Sequence, residues 1–347
     1  MLKITNFRNS KLILSLTLLL IFILILNISL GSISIPLKDV FRTLIGDNSS
    51  KQTWQYIIIN YRLPKAITAV LVGVGLSISG LLMQTLFRNP LAGPYVLGLS
   101  SGSSLGVAFV VLGASFLPDF LSSIVLTSYG IILASCLGSF SVLLLVILVS
   151  KKLRDTNSIL IVGLMFGSFA SAIVGVLSYF SSAEQLQKYI FWSMGNIGNL
   201  SWDSIIVLSI SVLIGLILSV FCIKSLNALL LGENYARSLG INFKKIRLII
   251  IIATSILAGS ITAFAGPIAF IGLAVPHIAK IVFQTSNHNL LFWSTLIFGA
   301  ITMLVCDIFS HIPGTEIMLP INAITSIIGA PIVIYLIINP NSNKRVL

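Results

Sequence analysis

The chain has 347 residues, of which 56% are hydrophobic and 9% are charged, and its formal net charge is +12. About a quarter of the residues in soluble domains are charged, so this composition excludes a soluble globular protein and indicates a membrane protein of several apolar helices. The basic residues are scattered among loops between apolar segments, which argues against nucleic acid as a partner and is typical of topology signals.

Ten apolar segments are long enough, or nearly so, to cross a bilayer, which takes about 20 residues. The predicted spans are 12–30, 63–87, 94–113, 121–149, 158–180, 204–223, 247–265, 268–278, 290–310 and 320–338. The first is predicted to be a retained span, because its apolar run exceeds the about 7–15 residues of a signal-peptide core and no A-x-A site follows. The eighth lies between Pro267 and Pro276 and is predicted to be a half-crossing helix covered by protein.

Charge bias predicts the orientation. With a cytoplasmic N-terminus, fifteen of the 21 Lys and Arg residues fall on the inner side, as the positive-inside rule requires. The six on the outer side are Lys38, Arg42, Lys51, Arg62, Lys65 and Lys188. An even number of spans then places both termini in the cytoplasm.

Two outer loops have recognisable features. In residues 31–61, Pro36 and Asp39 indicate a short interfacial helix. In residues 181–203, the aromatic side chains suit an interfacial belt; they are Tyr189, Phe191, Trp192 and Trp202.

Three stretches rich in small residues are predicted to be interior helices, because small side chains let helix backbones approach closely. They lie within 73–80, 98–106 and 258–265. The first and third each lead into a proline break, at Asn89–Pro94 and at Gly266–Pro276, and run in opposite directions in the predicted topology. This weak echo is what an inverted repeat predicts.

The chain lacks the sequence signatures of an enzyme. It has no Walker A motif, no nucleophile elbow, and no histidine or cysteine pair at metal-ligand spacing. Asp307, near the outer end of the ninth span, is the main candidate for a charge inside the membrane. Since ion-coupled carriers usually keep ionisable groups there, we expect energy to come from outside the chain, and we assign no catalytic residue, metal site or cofactor.

Four strings, in this order, carry a family resemblance: RLPKAITAVLVGVGLSISGLLMQTLFRNPLAGPYVLGLSSGSSLG (62–106), LLLGENYARSLGINFKKIR (229–247), AGPIAFIGLAVPHIAKIV (265–282) and LPINAITSIIGAPIVIYLI (319–337). From Arg62 to Ile338 the chain resembles the FecCD family of ABC transporter permeases. The resemblance implies a type II importer permease with ten transmembrane helices in a single domain, 1–347. It also implies a homodimer, two copies of an ABC ATPase subunit and an extracytoplasmic substrate-binding protein.

The polar run 224–247 is the longest stretch in the second half of the chain that cannot lie in a bilayer. Its leucine spacing predicts short amphipathic helices broken at Gly232 and Gly240, and we interpret the run as a cytoplasmic docking surface. The resemblance implies that its ATPase-contacting residues are Gly232, Glu233, Ala236, Arg237, Leu239 and Gly240.

The resemblance also implies a cytoplasmic gate and an outer docking rim. The gate positions are Asn89, Leu91, Thr156 and Asn157, although the adjacent Asp155 makes the second segment more acidic than a plain Ser/Thr gate; ordinary turns are the alternative. The rim positions are Arg62, Lys65 and His311, which would meet acidic residues of the binding protein. His311 stands where the family more usually has arginine, so its contribution would depend on pH.

These observations predict a permease of the cytoplasmic membrane that carries an iron(III)-siderophore-type chelate. Haem or vitamin B12 is the alternative cargo. An ATP-independent secondary carrier, or a membrane scaffold or receptor, is the alternative from another class. His277 is expected to be a packing residue and not an iron ligand.

Overall fold

The computed structural model describes residues 2–31, 33–47, 51–114, 118, 120, 124–152, 156–311 and 318–338. Side chains are described in the same ranges except at 2–7, 150–152, 156–157, 233–234 and 336–337. Apart from turns and one isolated bridge between His311 and Met318, these residues are helical.

The α-helices, in chain order, are α1 (Leu2–Ser29), α2 (Leu37–Ile45), α3 (Gln52–Ile57), α4 (Leu63–Phe87), α5 (Leu99–Val111), α6 (Ser128–Lys152), α7 (Thr156–Phe180), α8 (Ala183–Ser193), α9 (Trp202–Leu230), α10 (Glu233–Ser238), α11 (Phe243–Ala265), α12 (Ile271–Phe283), α13 (His288–Ser310) and α14 (Ile321–Ile338). A π-helical turn, Ile58–Arg62, leads into α4, and a 3₁₀ turn, Pro94–Leu97, precedes α5.

Each of the ten predicted spans corresponds to one apolar helix, which confirms the prediction of an all-α membrane protein. Among the described residues, seven helices are long and apolar enough to cross a bilayer, namely α1, α4, α6, α7, α9, α11 and α13. The other three, α5, α12 and α14, are shorter apolar helices.

Several predicted spans differ from the structure in their bounds. The fourth, predicted over 121–149, corresponds to α6, which begins at Ser128, and the sixth, predicted over 204–223, is part of the longer α9. The third, predicted over 94–113, divides at Gly98 (φ +77°) into the 3₁₀ turn and the 13-residue helix α5. The eighth is also 13 residues long, but it runs from Ile271 to Phe283 and contains Pro276. The sequence marks Pro276 as a break, yet the helix continues through it, because tertiary packing can offset the lost backbone hydrogen bond.

The order of helix lengths repeats. In α1, α4, α5, α6 and α7, and again in α9, α11, α12, α13 and α14, the third helix of the five has 13 residues. In each set a long helix, α4 or α11, leads through a Gly-Pro segment into that short helix. The five-helix pattern agrees with the repeat expected from the sequence.

The chain forms two compact units. Unit 1 comprises Met1–Ser77, Asn196–Ser209 and Ala269–Leu347, and unit 2 comprises Ile78–Gly195 and Ile210–Ile268. The single domain over 1–347 stays a prediction.

Unit 1 is built around α13, which packs against α1, α12 and α14. The first part of α4 approaches α13 at Gly73 and Gly299, where a Cβ on either glycine would overlap the carbonyl group of the other. The small-residue stretch of α4 is buried, as predicted.

Unit 2 is built around α5, α6 and α11. A Cβ on Gly102 or Gly106 of α5 would overlap the carbonyl group of Gly138 or Ala134 on α6. Two small residues four positions apart on each helix therefore let the backbones touch. The predicted small-residue stretch of α11 is also buried, including Ala258 and Thr262.

Candidate functional site

The predicted ATPase-docking segment is a short helix held between two glycine turns. The helix α9 ends at Leu230, where Leu231 and Gly232 donate backbone hydrogen bonds to the carbonyls of Ala228 and Leu229. Gly232 has φ +114°, a conformation that glycine adopts without strain. The six-residue helix α10 follows.

The other end of α10 is closed in the same way. Gly240 has φ +81° and donates to the carbonyl of Arg237, and Ile241 donates to that of Ala236. The side chain of Asn242 then caps α11 by accepting from the backbone of Lys245 at 3.2 Å. The two glycine breaks predicted from the sequence are confirmed.

The docking segment has one side buried against the protein and one side exposed. Ala236 is fully buried, and α10 packs on α11, so the helix is fixed to the transmembrane part of unit 2. Tyr235, Arg237 and Leu239 are exposed, the last with 59% of its surface accessible. The side chain of Glu233 lies outside the described part of the chain. The exposed side combines apolar area with a basic group, which is suited to a protein partner.

The first predicted gate segment follows α4. The side chain of Asn89 accepts a hydrogen bond from the backbone of Leu91 at 2.9 Å, which closes a tight turn and leaves Leu91 exposed. This arrangement agrees both with a gate and with an ordinary turn. The second gate segment, Thr156 and Asn157, forms the start of α7, but these two side chains are outside the described residues.

Arg88 connects the gate turn to the docking segment. Its guanidinium donates to the carbonyl of Leu229 at 3.1 Å, in the last turn of α9 and just before Gly232. The Arg88 backbone has φ +47°, an uncommon value for a residue with a side chain. Sequence reasoning counts Arg88 only as an inner-side charge, because neither its partner, 141 residues away, nor its backbone conformation can be recognised from the local sequence.

Arg62, one of the predicted rim residues, forms its hydrogen bonds inside unit 1. Its guanidinium donates to the carbonyls of Ile28 at 2.8 Å and Ser29 at 2.7 Å, and also contacts the carbonyl of Ile33. Carbonyl groups at the end of a helix lack intrahelical partners and attract cations. Arg62 therefore caps α1.

Lys65 and His311 lie together. The Lys65 ammonium is 2.8 Å from the Asp307 carboxylate and 2.8 Å from Nε2 of His311. The carboxylate is nearly inaccessible, and 15% of the Lys65 side chain is accessible. The sequence identifies Asp307 as the main candidate for a charge inside the membrane, and the structure pairs it with Lys65. The charge of Lys65 is thus largely compensated within the protein, and the docking role of the three rim residues stays a prediction.

The outer-loop helix α8 is joined to α5. The hydroxyls of Tyr189 and Ser104 are 2.5 Å apart, and Ser182 and Gln185 form a reciprocal capping box at the start of α8. On its exposed side the Lys188 hydrogen bond and charge lower the pKa of Glu184. The outer loop predicted over 181–203 therefore contains a well-defined helix.

Known proteins resemble this chain along nearly its whole length. The chain is 32% identical over 326 residues to the hemin transport system permease protein HmuU of Yersinia pestis, covering 93% of this chain and 96% of that protein. It is also 32% identical over 336 residues to the vitamin B12 import system permease protein BtuC of Salmonella typhi, covering 95% and 96%.

A solved structure also has the same fold. It is an ABC transporter provisionally assigned to the metal-chelate type, in an inward-facing conformation, and it matches with a TM-score of 0.82 and 28% identity over 95% of this chain and 99% of that chain. The model of the FecCD transport family matches residues 19–339. With ten apolar helices in the predicted order and the short helix α10 between α9 and α11, this chain belongs to the FecCD transport family of ABC transporter permeases.

Proposed function

We propose that this chain is the permease subunit of an importer that carries an iron(III)-siderophore-type chelate across the cytoplasmic membrane, with both termini in the cytoplasm. The family implies an ATPase partner, a substrate-binding partner and a dimeric permease. In this proposal the assembly contains two copies of the chain, two ATPase subunits and one extracytoplasmic binding protein. The main support is the family match over residues 19–339.

The ATPase would bind the exposed side of α10. Because Ala236 is buried and both ends of α10 are closed by backbone hydrogen bonds, a push on Arg237 or Leu239 moves the helix as a rigid piece. The motion reaches α11 through packing, and it reaches the gate turn through the bond between Arg88 and the Leu229 carbonyl. Rigid elements that connect two sites are what a mechanical coupling requires.

At the outer rim, Lys65 and His311 would form a docking point for acidic groups of the binding protein. Arg62 would act mainly by holding the end of α1 in place. Opposite charges at a rim set orientation and association rate more than affinity.

The hydrogen bonds of Asp307 favour ATP, rather than an ion gradient, as the energy source. A carboxylate that binds and releases a proton or sodium ion has to be available to it, whereas both oxygens of Asp307 accept hydrogen bonds, from Lys65 at 2.8 Å and Asn27 at 2.9 Å. The alternative of a secondary carrier therefore lacks a suitable group at this position.

The first test uses the chain in liposomes with its ATPase and binding protein. We expect the double variant Arg237→Glu/Leu239→Ser to lose about tenfold or more in co-purified ATPase and in ATP-driven uptake, since a charge reversal and a lost apolar anchor remove about 1.4 kcal/mol or more of binding. The control is Lys11→Gln, an exposed residue of α1 that lies outside the run 224–247. Uptake that needs no ATP, or a double variant with normal uptake, would contradict the docking proposal.

The cargo is tested in the same liposomes. Ferric hydroxamate siderophore, haem and vitamin B12 are offered separately and then in competition. We expect ATP-dependent uptake of the ferric siderophore, which an excess of haem or vitamin B12 does not reduce. If haem or vitamin B12 is taken up and the ferric siderophore is not, that compound is the cargo, and the proposed permease function stands.

A further inference from the structure

The helix α2 starts at the place where the span α1 ends. The backbone N–H of Ile35 donates to the carbonyl of Ser29 at 3.1 Å, and the Ser29 hydroxyl donates to the carbonyl of Ile35 at 2.5 Å. Pro36 is the N-cap residue of α2, which packs on α1. Since α1 is a membrane span, α2 lies at the membrane boundary.

One side of α2 presents large apolar side chains to the surroundings. Because successive residues of a helix are turned by about 100°, residues at positions i, i+4, i+7 and i+8 share one arc. In α2 these residues are all exposed: Leu37, Phe41, Leu44 and Ile45, the last with 82% of its surface accessible. Val40 and Thr43 are buried on the adjoining arc, so the exposed residues do not form the protein-facing side.

The polar residues of α2 follow a definite order around the helix. Lys38 and Arg42 flank the exposed apolar arc on the edge away from Val40 and Thr43, and Asp39 lies roughly opposite the apolar arc. Arg42 has a loose, exposed partner in Asp47 at 3.8 Å. Around the helix, the buried arc is followed by the apolar arc, the basic edge and the acidic residue. This order is expected for a helix lying on a bilayer, because Lys and Arg side chains reach from the apolar boundary to the headgroups.

The neighbouring segments indicate lipid as the medium beside α2. The α1 helix exposes a series of large apolar side chains along its length, namely Leu14, Leu18, Ile21 and Phe22. After α2, Lys51 lies 4.7 Å above the Trp54 ring, and the exposed Tyr56 and Tyr61 rings pack edge to face. Tyr and Trp are enriched at membrane interfaces.

We infer that α2 is an interfacial anchor, with Leu37, Phe41, Leu44 and Ile45 among the acyl chains and Lys38 and Arg42 at the headgroups of anionic phospholipids. The apolar arc continues the lipid-facing surface of α1, and the basic edge is complementary to phosphate. Arg62, which holds the carbonyls at the end of α1 and that of Ile33, is a positioning residue for this anchor. The inference requires only that α1 spans the membrane and is independent of the cargo.

The test measures depth in the membrane. In a background with Cys136→Ala, Cys222→Ala and Cys306→Ala, a spin label is attached to Phe41→Cys, Ile45→Cys or Asp39→Cys, and the chain is reconstituted in phosphatidylglycerol–phosphatidylethanolamine vesicles. We expect the labels at 41 and 45 to collide with oxygen several-fold more, relative to a water-soluble nickel chelate, than the label at 39. Uptake by the labelled variants with their ATPase and binding protein shows that they are folded.

Three results would overturn the inference. Equal exposure of all three labels to the nickel chelate would place α2 in water. Shielding of positions 41 and 45 from both reagents would mean that a second copy of the chain covers them. Shielding that appears only when the binding protein is added would make α2 part of the docking surface.

The headgroup contact is tested with Lys38→Gln/Arg42→Gln. In the otherwise unchanged Phe41→Cys protein, we expect the label to lie deeper in vesicles with phosphatidylglycerol than in pure phosphatidylcholine. This difference should disappear in the double variant and persist in the Lys188→Gln control, since Lys188 is paired with Glu184 on another helix. A difference that survives in the double variant would refute the headgroup contact.

Discussion

At the scale of single residues, Asp307 is a buried carboxylate of unit 1. A buried carboxylate loses its hydration and has to be paired. One oxygen meets the ammonium of Lys65 on α4, and the other accepts from the amide of Asn27 on α1. Asn27 also donates to the carbonyl of Leu304 at 3.3 Å. A single acidic residue of α13 thereby holds two other helices.

We predict that Lys65→Met lowers the stability of the protein by about 3–5 kcal/mol, because it leaves the Asp307 charge buried without its cation. The double variant Lys65→Met/Asp307→Leu should recover most of the loss, since an apolar pair has no charge to desolvate. Thermal unfolding in detergent, analysed as a double-mutant cycle, measures both effects.

The matched control is the pair of Lys188 and Glu184, which has the same 2.8 Å separation but lies on the surface of α8. Lys188→Met should change the stability little, because exposed ion pairs are screened by water. Equal losses in the two single lysine variants would show that burial does not set the contribution of the Lys65 pair.

At the scale of secondary-structure elements, glycine determines how closely the helices approach. The contact of α5 with α6 places Gly102 against the Gly138 carbonyl and Gly138 against that of Gly102. A bilayer gives little hydrophobic drive between helices, so van der Waals contact and close approach stabilise such pairs. This contact fixes the position of α5 and, through the hydroxyls of Ser104 and Tyr189, that of α8.

We predict that Gly138→Ala lowers the free energy of unfolding by about 1–3 kcal/mol, because the new methyl group forces the backbones of α5 and α6 apart. Gly175→Ala in α7 is the control: a Cβ there meets nothing within 4 Å. It should leave the stability unchanged or raise it by about 1 kcal/mol or less, since alanine favours the helix. Unfolding curves that rank the two variants in the opposite order would exclude close approach as the determinant.

At the scale of the whole molecule, the proposed function requires a motion to pass from the predicted docking segment to the turn at Asn89. The bond between Arg88 and the carbonyl of Leu229 is a direct connection between them inside unit 2. Since the carbonyl lies three residues before Gly232, movement of α10 has a short path to Asn89.

We predict that Arg88→Gln leaves ATPase binding intact but reduces the substrate imported per ATP several-fold. The shorter neutral side chain cannot keep the bond to Leu229, so the gate turn no longer follows α10. Uptake and phosphate release in liposomes give the ratio. Lys11→Gln, an exposed residue of α1 outside the run 224–247, serves as the control. An unchanged ratio for Arg88→Gln would mean that the connection does not carry the motion.

Much of the fold can be predicted from local sequence properties. The apolar length of a segment decides whether it can span a bilayer, and this property needs no knowledge of its neighbours. The turns at Gly232 and Gly240 follow from the backbone freedom of glycine. The proline at 276 is the exception, because whether a helix continues through proline depends on the packing around it.

By itself, the sequence determined the class of protein, the ten apolar helices, the glycine breaks at both ends of α10 and the family resemblance, because hydrophobicity, glycine positions and motif order are readable along the chain. Only the tertiary structure decided that Asp307 pairs with Lys65, that Arg62 caps α1, that Arg88 reaches Leu229 and that α2 exposes its apolar arc. These four features join or orient residues from separate helices. Such contacts arise from how the helices pack, and local sequence patterns carry no record of the packing partner.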